Sequence, residues 1–218
     1  MKKFYLAILL VCTSVFTVYS QTGVIRELTG DVQLKGPGSS DFSPAQVGTQ
    51  LSQDTIVSTG FRSSALIAVG STVISVRPLT RLSLAEISSS QGTENLNVNL
   101  QAGRVRVEVA PPAGLRANVS VQAPSATASV RGTSFEMDTR NLNVSSGSVN
   151  WQDLNGFSTA VTLGFSSSID EIGMVVDPVQ LAAEELSPTG PVGSGEAGES
   201  LAASDSTNIV DFDLGLSW

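Results

Sequence analysis

Val119 to Met137 read VSVQAPSATASVRGTSFEM. Val119/Val121 and Phe135/Met137 alternate with polar residues on either side of a connection of small residues, which closes on Arg131-Gly132-Thr133. Alternation with period two marks a strand with one face buried. A glycine just ahead of the second strand marks a bend where a side chain would be in the way. The same grammar extends outward. Leu96, Val98 and Leu100 alternate with asparagines, and Val105, Val107 and Val109 with Arg104, Arg106 and Glu108. Ala65 to Val69 is a continuous apolar run, as expected of a strand covered on both faces.

Two segments share a pattern of strand, glycine turn and strand. Leu96 to Leu100 passes through Gly103 into Val105 to Val109, and Leu142 to Val144 passes through Gly147 into Val149 to Trp151. Each unit reads as one corner of a coil whose apolar face is buried only by stacking on neighbours. Short strands punctuated by glycine predict an all-β fold, a β-solenoid-like stack of short strands, with a β-sandwich as the alternative. No long helix is predicted in the domain, and Val179 to Leu186 could form two turns at most.

The stretch with Pro124, Val130, Arg131, Gly132, Thr133 and Phe135 resembles the signature of the FecR family, in which a strand and a Pro-containing turn lead into a VRGT-x-F segment. Three upstream elements agree in order: Gly30-Asp31-Val32, Asp54 to Gly60, and Gly70 to Val76. The resemblance runs from about Gly23 to Phe165. It implies an all-β exported module. Family members that regulate sigma factors also carry a cytoplasmic segment and a membrane helix, and only the exported module is matched here. The resemblance therefore implies an envelope protein as partner rather than sigma-factor control by this chain alone.

The first twenty residues fit export. Met1-Lys2-Lys3 precedes an apolar run from Phe4 to Val11, and Val18-Tyr19-Ser20 offers small or tolerated residues for cleavage. The expectation is a signal peptide over 1–20 and a periplasmic or secreted product. The apolar run is far short of the ~20 residues of a spanning helix, so no integral membrane segment is expected after cleavage. Lipidation at Cys12 is disfavoured because bulky Val11 precedes it.

Chemistry is limited by what the chain lacks. It has no His and one Cys, Cys12, which cleavage would remove. Thiol catalysis, imidazole bases and zinc sites of sulfur or imidazole are then excluded. Carboxylate pairs of the glycosidase kind arise by chance among twenty acids, and no dyad stands out. The reading is non-enzymatic, with no catalytic residue, cofactor or metal assigned, and a carboxylate-dependent hydrolase is kept only as a minor alternative. Asp170, Glu171 and Asp177 are oxygen donors of the kind calcium takes, but without a dedicated loop they read as turn residues. Residues 21–150 hold ten basic and nine acidic residues, and no Lys or Arg follows Arg140. Without a basic stripe nucleic-acid binding is excluded.

Arg131-Gly132-Thr133 invites an anion-binding reading. The structural alternative is preferred: Gly132 permits the bend, Thr133 bonds local backbone and Arg131 pairs with a nearby acid. Trp151 reads as core in preference to an exposed platform for sugar stacking. An envelope polysaccharide is nevertheless kept as the alternative ligand class. The domain is expected over 21–182, followed by a flexible acidic linker rich in Gly, Ser and Pro over 183–208. An amphipathic terminal strand over 209–218 has Val210, Phe212, Leu214, Leu216 and Trp218 on one face. That strand is expected to pair with an edge of its own domain or of a partner.

Overall fold

The computed structural model describes residues 22–179. Seventeen strands occur there, in two sheets. The first sheet holds β1 (Gly23–Thr29), β4 (Gln50–Leu51), β6 (Ser64–Val69), β7 (Thr72–Val76), β10 (Arg104–Val109), β13 (Ser134–Asp138), β14 (Asn141–Ser146) and β17 (Ser166–Ser168). The second holds β2 (Val32–Lys35), β3 (Ser43–Pro44), β5 (Ile56–Thr59), β8 (Arg81–Ser90), β9 (Thr93–Ala102), β11 (Arg116–Gln122), β12 (Ala126–Val130), β15 (Ser148–Asp153) and β16 (Ser158–Thr162). The all-β expectation holds.

The chain passes from sheet to sheet every one or two strands. Hairpin β6–β7 lies in the first sheet, β8–β9 in the second, β13–β14 in the first and β15–β16 in the second. Both strand–glycine–strand units sit at such crossings. β9 passes to β10 through Gly103 (φ 87°), and β14 passes to β15 through Gly147 (φ 74°). Gly103 has no room for a side chain, since a Cβ there would lie 2.5 Å from Thr80 Cα. Pairing is antiparallel except between β9 and β11. Those two become neighbours because β10, between them in sequence, lies in the other sheet.

The inward rows of both sheets form one hydrophobic cluster, with Trp151 and Phe135 its largest fully buried side chains. Burial follows the alternation read from sequence: Leu96, Val98, Leu100, Val105, Val107 and Val109 all face the core. The Ala65–Val69 run is nearly but not wholly covered, with Leu66 half-exposed. Its two neighbours, β1 and β7, are antiparallel, so the apolar run here is not a mark of parallel pairing.

Candidate functional site

Pro124 lies in the turn from β11 to β12, and the motif residues Val130 to Phe135 occupy the passage from β12 to β13. Val130 and Phe135 are core residues, Pro124 and Arg131 are exposed, and Gly132 has φ 122°. Thr133 is buried, with its backbone carbonyl accepting the Val109 N–H at 2.9 Å. Two expectations need correction. The Thr133 hydroxyl makes no local bond; it is buried without a hydrogen-bond partner among the described residues. Its side chain is packed toward Gly147 across the corner, which takes it away from its own turn. Arg131 forms no ion pair among the described residues. At an exposed corner such a pair gains little against screening and side-chain entropy.

Other corners use the same small and hydroxylated residues, but with their hydroxyls bonded. Ser63 accepts the Asp31 N–H at 2.8 Å, just after Gly30. Thr80 accepts the Arg104 N–H at 3.0 Å, just after Gly103. Thr59 donates to Arg77 O at 2.6 Å and accepts the Thr80 N–H at 3.0 Å. These bonds satisfy backbone groups that the passage between sheets removes from the ladders. At the β6–β7 turn, Glu94 of the opposite sheet accepts both the N–H and the hydroxyl of Ser71, at 2.8 and 2.6 Å.

Beside Arg131 the outer face of the second sheet forms an open groove of about 630 Å³. One row crosses six strands in register: Glu86, Asn97, Ser120, Ser129, Asn150 and Ala160. A second row pairs Asn95 with Asn118, whose amide donates to Asn95 Oδ1 at 3.0 Å. Sequence alternation marks several of these strands but not β12, whose small residues read as a connection, and not this groove, because alternation assigns residues to faces without saying which strands lie side by side.

The outer face of the first sheet carries ion pairs. Arg77 and Arg104 share Glu136, at 3.2 and 3.8 Å, and Arg104 also reaches Asp138 at 3.2 Å. Burial alone would raise the Asp138 pKa. The N–H groups of Arg140 and Asn141, the Asn141 amide and the Arg104 guanidinium outweigh it, holding the carboxyl below its ordinary value. Glu136 and Asp138 are thus engaged by arginines and are not a free carboxylate pair.

The remaining candidates are placed as follows. Trp151 is fully buried and offers no sugar-stacking surface. Asp170 caps a turn by accepting the N–H of Ile172 and Met174, at 3.0 and 2.8 Å, and Asp177 accepts the N–H of Val179 at 2.9 Å. The signal segment 1–20, the linker 183–208 and the strand residues Val210, Phe212, Leu214, Leu216 and Trp218 lie outside the described residues.

Strand β16 is the last strand of the second sheet and pairs with β15 alone among the described residues. Phe157 O and Leu163 N bond toward β15. Antiparallel alternation therefore turns the N–H and C=O of Ser158 and Ala160, and the N–H of Thr162, to the open side. Leu154, Phe157, Leu163 and Phe165 stand exposed at the two ends of this strand.

Among the described residues these features define an all-β, two-sheet domain with glycine corners, in which β16 is the longest of the terminal strands and carries neither charge nor proline. Residues 55–150, from β5 into β15, match the model of the FecR protein family. Curated protein sequences give no match. Two crystal structures of a proposed anti-sigma factor from Parabacteroides distasonis are similar. The first is 15% identical with a TM-score of 0.46, covering 60% of this chain and 64% of that one. The second is 16% identical with a TM-score of 0.44, covering 59% and 62%. The chain thus spans less than two thirds of either.

Proposed function

We propose that this chain is an exported, non-enzymatic FecR-type module of the cell envelope, which binds another envelope protein by taking that partner's strand onto β16. The edge itself carries the reading. Proteins protect open edges by shortening them or by placing charge or proline on them. The other three terminal strands are so blunted: β3 is two residues long and includes Pro44, β4 has two residues and β17 three. β16 is five residues, Ser-Thr-Ala-Val-Thr, with no such protection. Its exposed flanking residues, Phe157 and Leu163 among them, offer apolar contacts to an added strand. The pattern of Met1 to Ser20 supports export, and no helix among the described residues is long and apolar enough to cross a membrane. In this reading Pro124, Val130, Arg131, Gly132, Thr133 and Phe135 are structural: Pro124 sits in the turn before β12, and the other five build the corner after it.

Ala160→Pro tests the reading. It removes an outward N–H at the middle of β16 while leaving the bonds to β15, a placement that edge strands accept. In pull-downs from envelope extract, the unaltered chain should retain a partner in near-equal amount and the variant should lose it. Equal recovery by both, or no partner with either, removes the proposal.

A further inference from the structure

We infer that the groove on the outer face of the second sheet binds an acidic oligosaccharide, through a surface separate from the β16 backbone edge. Four asparagines line it, together with serines that include Ser120 and Ser129. Each amide both donates and accepts, as does each hydroxyl, which is the complement of a ligand made of closely spaced hydroxyl groups. Asn97 holds a buried Oδ1 with no hydrogen-bond partner among the described residues, an acceptor that a ligand hydroxyl would satisfy.

Charge selects the acidic class. Arg131 is the one cation on the groove wall and is in no ion pair among the described residues. The one acid of the wall, Glu86, accepts the Ser88 hydroxyl at 3.0 Å. Glu86 and Arg131 stand about three strand spacings apart, roughly 14 Å. A carboxylate-bearing sugar seated at Arg131 would therefore keep clear of Glu86 while its hydroxyls run along the amide rows. An extended peptide is the poorer fit. The groove has no aromatic wall and no apolar pocket for alternate side chains, and its strands from β9 to β15 are already paired on both sides.

The test is calorimetric titration of the full exported chain with an oligouronate hexasaccharide, a neutral maltohexaose and a short poly-glutamate peptide. The oligouronate should bind saturably and more tightly than the other two. Arg131→Gln and Asn118→Ala should each weaken it about tenfold, the loss of one good hydrogen bond, without shifting the melting temperature, since both residues are exposed. Absence of oligouronate binding overturns the inference. So does binding that both variants leave intact. Poly-glutamate binding as tight as the oligouronate would show that charge alone is read, and would overturn it equally.

Discussion

Gly147 lies against Thr133 across the corner where the two sheets meet. A Cβ on Gly147 would come 2.5 Å from Thr133 Cγ2 and 3.3 Å from Gly132 O, and Gly147 itself has φ 74°. The threonine of the family motif is therefore packed against the glycine that carries the chain from β14 into β15. Gly147→Ala should destabilise the domain by roughly 1–3 kcal/mol from backbone strain, with the clash added. Thermal melts measure the loss. Thr133→Ala in the same chain should restore the steric part and leave the strain, so the two changes should couple in a double-mutant cycle.

Thr133→Val should cost almost nothing. The hydroxyl is buried without a partner among the described residues, so an isosteric methyl removes a desolvated group and keeps the shape. The expected melting temperature is equal to or above that of the unaltered chain. A clear loss would mean that the hydroxyl is satisfied by bound water.

Gly132 separates conformation from space. Its φ of 122° is unfavourable for any side chain, yet the nearest atom to a Cβ there is Pro111 Cδ at 3.8 Å. Gly132→Ala and Gly132→Val should thus destabilise by comparable amounts, roughly 1–3 kcal/mol. Arg131→Ala, at an exposed position with no ion pair among the described residues, should stay within about 0.5 kcal/mol. Urea unfolding of the three variants decides. A valine far worse than alanine would show a crowded corner in place of a strained one.

Several strands and their core faces are legible because alternation and glycine spacing are local properties of the chain, whereas β12, built largely of small residues, reads as a connection. The alternation of Leu96 to Leu100 and Val105 to Val109 marks two strands about a glycine corner, and Gly103 turns the chain from one sheet to the other there. What lies between strands was not legible. β9 and β11 pair in parallel although β10 separates them in sequence, and nothing local in Asn95 or Asn118 announces that their amides will bond. The Glu94 bond to Ser71 is hidden for the same reason, since its partner is 23 residues away in the opposite sheet. Thr133 misled because threonine beside glycine ordinarily bonds its own turn, whereas the corner directs it to Gly147.

Acid should loosen the outer face of the first sheet through Asp138. Its folded-state pKa is lowered from 3.8, so the unfolded chain takes up the proton first as pH falls. The stabilising contribution is complete above the unfolded value and is lost as pH drops through the folded one. Loss of stability should therefore begin near pH 4 and deepen below it. Asp138→Asn cannot titrate there, so its stability should fall less steeply over that range, while at neutral pH it is the weaker protein for want of the charge beside Arg104. Urea midpoints for both chains between pH 7 and pH 2 measure this. The two curves should converge as the acid limit is approached. Parallel curves would assign the acid sensitivity to other carboxylates and leave Asp138 a solvated turn residue.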